Sequence, residues 1–128
     1  MKRWVLAIFL CVGSAIAQSR GADTCKLQQP PKEAVHRALP GGMAEIKYPD
    51  PRTVPNDYTG CLNTWLEGVG PPVLVTVAQF ENGVTESVWV PIYGLNCEYR
   101  NNQLVPDPAR RGNCLEAKDV TLEKWRLE

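Results

Sequence analysis

The chain holds one histidine, His36, in 128 residues. Histidine is the side chain that exchanges protons most readily near neutral pH, so schemes built on a His-centred base have a single seat. No carboxylate or nucleophile is tied to His36 by spacing, and it reads as a surface residue. Gly-x-Ser-x-Gly, a phosphate loop, His-Glu-x-x-His and any Cys–His combination are all missing, which leaves the common hydrolase and nucleotide-binding motifs unrepresented. No two cysteines stand in a Cys-x-x-Cys pair, so metal ligation is not expected, and no cofactor motif is present. Arg110-Arg111 is the only arginine doublet of the mature region, too little basic surface for nucleic acid or an anionic membrane. Asn-x-Ser/Thr acceptors are absent too.

A membrane-spanning run is also lacking. The longest apolar stretch, Trp4 to Ala17, is about fourteen residues, against the roughly 20 needed to span. What it does resemble is a secretory leader. Lys2 and Arg3 precede it, Gly13 and Ser14 alone break it, and the small-x-small triplet Ala15-Ile16-Ala17 ends it. Residues 1–17 are therefore expected to be a signal peptide cut between Ala17 and Gln18. An uncleaved anchor is the alternative, disfavoured by the polar Gln18-Ser19-Arg20 that follows. Phe9-Leu10 is too bulky for a lipoprotein signal at Cys11, which goes with the leader. The destination expected is periplasmic or secreted, with no stable membrane insertion after cleavage.

Once Lys2 and Arg3 leave with the leader, acidic groups exceed basic ones by two. Four cysteines remain: Cys25, Cys61, Cys97 and Cys114. An even number in an exported domain reads as two disulfides. Three pairings can be drawn. A hairpin between Cys97 and Cys114 would bring these two together, which leaves Cys25 with Cys61. The shorter bridge is worth about 3 kcal/mol in the chain-entropy model.

Residues 18–30 read as a mobile arm pinned at Cys25, and residues 31–128 as a single small β domain. Pro30-Pro31 suits the first turn of a helix, and Val35, Ala38 and Leu39 share a helical face, so Lys32 to Leu39 is expected to be a short N-terminal helix stopped by Pro40-Gly41-Gly42. Met43 to Tyr48 alternates as a strand. Pro49, Pro51 and Pro55 then keep Tyr48 to Asp57 out of a central sheet. Tyr58 to Leu66 alternates again, and Glu67 to Pro72 is a turn-forming break. Val120 to Leu127 reads as a strand, with the alternative that Leu122 and Trp125 share a helix face.

Val73 to Phe80 and Val84 to Ile92 are rich in β-branched residues and flank Asn82-Gly83, the strongest short hairpin signal. With those two in the turn, Glu81 faces Val84. An unbroken ladder then sets Val77 opposite Val88, Val75 opposite Val90 and Val73 opposite Ile92, a face expected to be core. The other face pairs Thr76 with Trp89, Ala78 with Ser87 and Phe80 with Thr85. Phe80 and Trp89, with Asn82 and Gly83 at the tip, are the candidate partner-binding residues. A second hairpin turns at Asn101-Asn102, placing Arg100 by Gln103, Tyr99 by Leu104 and Glu98 by Val105. Pro106 to Asn113 is a loop.

The fold class expected is mainly β: a small antiparallel meander built from hairpins, with one short N-terminal helix and two disulfides. Phe80-Glu81-Asn82-Gly83 and Tyr99-Arg100-Asn101-Asn102 share an aromatic–charged–Asn–Gly/Asn pattern. Tyr58-Thr59-Gly60 and Trp65-Leu66-Glu67-Gly68 are of the same style. Over about a third of the chain these residues resemble MORN-type hairpin repeats. That resemblance implies a meandering sheet that binds along a face without catalysis. The function class expected is a non-catalytic binding module with a protein partner, of which an inhibitor or immunity protein against an envelope-acting enzyme is one concrete form. A self-assembling envelope component and a small hydrolase are the alternatives. Glu67 to Pro72, the Asn82-Gly83 tip and Pro106 to Asn113 are the candidate insertion loops.

Overall fold

The computed structural model describes residues 23–127; the expected leader, 1–17, and the start of the expected arm, 18–22, lie outside the described residues. Seven strands follow one another in an antiparallel sheet whose spatial order is the chain order. They are β1 (Val35–Ala38), β2 (Ala44–Tyr48), β3 (Gly60–Glu67), β4 (Val73–Glu81), β5 (Val84–Val90), β6 (Leu95–Arg100) and β7 (Gln103–Leu104), and helix α1 (Leu122–Leu127) follows them. The protein is thus the expected β meander, with Cys25–Cys61 and Cys97–Cys114 bridged.

Local chemistry sets both tight hairpins. Asn82 and Gly83 have φ of 51° and 81°, and Asn101 and Asn102 have 53° and 60°. Two successive positive φ values make the turn whose twist matches the flanking strands. Glu81 faces Val84, Tyr99 faces Leu104 and Arg100 faces Gln103, in the expected registers.

The β4–β5 ladder does not stay in that register. Phe80 pairs with Thr85, but Gln79 pairs with Ser87, Ala78 with Val88 and Val77 with Trp89. Glu86 is the extra residue, a bulge. One inserted residue flips every side chain beyond it to the opposite face. The bulge therefore carries Val88 and Val90 onto the face that holds Leu62, Ala78, Phe80, Cys97 and Tyr99. The aliphatic core face expected from an unbroken ladder does not form: Val73 is half exposed, while Val75 and Val77 are only partly buried. Packing explains the exchange, because the bulge lets the valines of β5 join the larger aromatics in one layer. A second irregularity makes Val75 the extra residue on β4, so that Leu74 pairs with Trp65.

Alternation along β3 then separates two cores. Leu62 and its partner Ala78 belong to a larger cluster that Val54, Val120 and Leu122 cover. Trp65 faces the other way and packs with Ile46, Ala34, Leu27 and Leu74. Each face has its own cover, and each cover its own disulfide. Cys61 joins the N-terminal segment to the Trp65 face. Cys97, paired with Val88 on the Phe80 face, joins the C-terminal segment to it.

Hydrogen bonds reinforce both covers. Asn63 Nδ2 donates to the Thr24 carbonyl at 2.8 Å, and Trp65 Nε1 donates to the Gln28 carbonyl at 3.1 Å. The stretch 23–30, expected as an arm held only at Cys25, is thus packed along the sheet. On the other face the Tyr99 hydroxyl donates to the Leu115 carbonyl at 2.8 Å, and the Thr85 hydroxyl donates to the Val120 carbonyl. Burial pushes the Tyr58 and Tyr99 phenols above the usual tyrosine range. Both remain protonated donors at neutral pH.

Two expected elements are corrected. Lys32 to Leu39 is not a helix: Ala34 N–H closes a turn on the Pro31 carbonyl at 3.0 Å, and Val35–Ala38 pairs with β2. Two helical turns carry little stability of their own, and an open sheet edge outcompetes them. The tail is not a strand. Thr121 caps α1, its Oγ1 accepting from Lys124 N–H at 3.3 Å. Leu122 and Trp125 then share the helix face turned to the core. The short helix of the fold is therefore C-terminal.

Candidate functional site

The covers differ in extent. The N-terminal segment covers its face over β2 and β3, where Ile46 and Trp65 are fully buried. Farther along the same face the cover stops. One cross-strand row reads Tyr48, Asn63, Val77, Trp89, Asn96. Burial falls along it, from fully buried Asn63 through partly buried Val77 to Trp89, which is 38% exposed, and exposed Asn96. The next row reads Cys61, Gln79, Ser87, Glu98, and again only the first is buried. The outcome is a strip over β4–β6 with one large aromatic, a valine beside it and hydrogen-bonding side chains around both. At its end Ile92 and Tyr93 stand on an exposed turn that packs against β4, a strand whose first residue, Val73, is half exposed.

The sequence-nominated residues part company here. Trp89 lies on this strip. Phe80 is 1% exposed and sits in the opposite core, 6.4 Å from the Tyr58 ring, because the Glu86 bulge separates its face from that of Trp89. Phe80 is a packing residue. Nor is the Asn82-Gly83 tip a free loop. Gly83 N–H donates to the Tyr58 carbonyl at 2.8 Å and Asn82 N–H to Thr59 Oγ1 at 3.0 Å, tying the tip to the chain before β3. Glu67 to Pro72 and Pro106 to Asn113 do lie largely on the surface. Sequence reasoning missed Val77, Ile92 and Tyr93. The signal was the proline at position 91, which ends β5 and turns the next two side chains outward.

The bulge also creates a carboxylate pair. Glu86 and Glu81 can share a hydrogen bond only while one of them is protonated, and this contact, with some burial and like-charge repulsion, holds the Glu86 carboxyl above its usual range. Both carboxyls are exposed. A raised folded-state pKa contributes stability below the unfolded pKa and loses it as pH rises through the folded value. Glu86→Gln keeps a hydrogen-bonding group and removes the repulsion. Its melting temperature is expected to exceed the wild type's at pH 7, with the gap closing toward pH 4. A gap independent of pH in a series of thermal melts contradicts the pairing.

A groove of about 400 Å³ lies between the β1–β2 edge and α1. Exposed His36 lines it but has no carboxylate partner among the described side-chain contacts. Arg37 Nη2 contacts Glu45 Oε1 at 2.7 Å, and Arg52 Nη2 contacts Asp50 Oδ2 at 2.9 Å. The Arg52 hydrogen bonds hold the Asp50 carboxyl below its usual range. Arg126 donates to the Val54 carbonyl and to Asn56 Oδ1, both at 2.7 Å, and so fastens α1 to the proline-rich loop. Among the described residues no group of three His, Cys, Asp or Glu side chains is placed to hold a metal ion. No helix among them is long and apolar enough to cross a membrane.

Compared with known proteins, the chain matches no family model, no curated protein and no solved structure.

Proposed function

We propose that the protein is an exported, non-catalytic protein-binding module that works through the strip around Trp89. The single observation that carries this reading is the placement of that indole. It stands part-exposed on a rigid sheet, beside Val77, where the N-terminal cover ends. A tryptophan ringed by Gln79, Ser87, Asn96 and Glu98 has the make-up of an interface centre with a polar rim. The MORN-like hairpins imply the same use of a sheet face. The two disulfides fit an oxidising compartment, in line with a periplasmic or secreted protein. An inhibitor or immunity protein against an envelope-acting enzyme is the concrete form we favour. The exposed Glu67–Pro72 loop suits insertion into a cleft.

The test is affinity capture by the mature form from its native envelope, with Trp89→Ala in parallel. The wild type is expected to retain one heterologous protein. The variant should bind it about 2 kcal/mol more weakly, roughly 30-fold, as truncation of a central aromatic does. Its melting temperature should barely move, because Trp89 belongs to neither buried cluster. Recovery of bait alone, or equal capture by the variant, overturns the reading. Larger species forming as the pure protein is concentrated would favour self-assembly instead.

A further inference from the structure

We propose that the groove between the β1–β2 edge and α1 is a second, separate binding site, for a small carboxylate with an apolar body. The charge balance of the groove points to an anion. Arg37, Lys47, Arg52 and Arg126 line it against two carboxylates, Glu45 and Asp50. Three of those cations are well served. Arg37 and Arg52 each hold a carboxylate closely, and Arg126 is spent on the loop. Lys47 is the exception. Among the described residues its one ion pair is with Glu45 Oε1 at 3.9 Å, and that same oxygen already accepts two hydrogen bonds from Arg37, while Asp50, the other carboxylate that feels the Lys47 charge, is held by Arg52. The Lys47 side chain is 12% exposed and lines the groove. An ammonium with three donors and no close ion pair gains from an incoming anion.

The rest of the groove suits the other end of such a ligand. Val35, Trp125 and Leu127 give it apolar walls. A volume of about 400 Å³ falls in the range of small-molecule sites, which pair mostly apolar walls with a few placed polar groups. By register, Lys47 projects from the sheet face opposite Ile46 and therefore opposite Trp89. Occupancy here is thus independent of the strip assigned to a protein partner.

The experiment is a titration of the isotope-labelled mature protein with octanoate, followed by amide NMR shifts, with octanamide as the uncharged control. Octanoate is expected to give saturable shifts in β1, β2 and α1 and none around Trp89. Octanamide, and octanoate with Lys47→Met, should bind at least tenfold more weakly. The octanamide arm uses the unaltered protein, so the test stands even if the variant folds poorly. Shifts that fail to appear by several millimolar, equal binding of the amide, or shifts centred elsewhere would overturn the proposal. A tripeptide with an apolar C-terminal residue forms a third arm. Binding at that arm with the same Lys47 dependence would identify a chain end as the source of the carboxylate, and preference for octanoate a free acid.

Discussion

Replacing Cys25 and Cys61 together with alanine is expected to cost the fold about 4 kcal/mol, because the bridge closes a loop of 36 residues in the chain-entropy model. Domains of this size are stable by roughly 5–15 kcal/mol, so most of the margin goes. The loss should concentrate on one face. Without the bridge, the N-terminal cover keeps Leu27 and Ala34 against Ile46 and Trp65, and the hydrogen bonds of Asn63 and Trp65 to its carbonyls. Those ties hold a short segment with no regular structure beyond one 3-10 turn. Denaturant unfolding should show the reduced midpoint, and trypsin should cut at Lys26 and Lys32 well before the sheet unfolds. The Cys97–Cys114 bridge closes the shorter loop, a separation of 17, and its removal should cost about 3 kcal/mol. A loss under about 1 kcal/mol for the Cys25–Cys61 pair would contradict a cover held chiefly by its bridge, given the chain-entropy expectation.

Gly83→Ala should destabilise by about 3 kcal/mol, combining the positive-φ penalty with overpacking. A methyl group there would sit 1.9 Å from the Asn56 carbonyl oxygen, a backbone atom that cannot rotate away, at a φ of 81°. Gly94→Ala supplies the control. Its φ is 62° and nothing lies within 4 Å of the added carbon. It should therefore cost about 1 kcal/mol, the conformational term alone. The difference between the two variants in chemical denaturation isolates the docking of the β4–β5 tip on the chain before β3. Equal losses would mean that the tip is not docked.

Both hairpin tips were legible in the sequence because a two-residue turn is a local demand: Asn-Gly and Asn-Asn are among the few pairs that accept successive positive φ. Cysteine pairing followed from the second hairpin. The Glu86 bulge was not legible, since nothing in Thr85-Glu86-Ser87 marks an inserted residue. It is set by competition between two distant layers for Val88 and Val90. That one residue decides the site, because it places Phe80 in a core and Trp89 on the opposite face. Residues 35–38 and 122–127 were misread for a related reason. Each is too short for its own pattern to decide, so an adjacent strand edge settled one and a threonine cap with a core contact settled the other. The groove is not legible in the sequence because it joins residues of β1, β2 and α1 that lie far apart in the chain.

Hydroxyl-radical footprinting of the mature protein, read by mass spectrometry at each tryptophan, is the most direct test of a sheet covered on one face and half covered on the other. The arrangement predicts rapid modification of Trp89, slow modification of Trp125 and almost none at Trp65, with Trp89 falling silent in the complex captured from the envelope. Trp65 reacting as fast as Trp89, or Trp89 reacting equally fast free and bound, would contradict it.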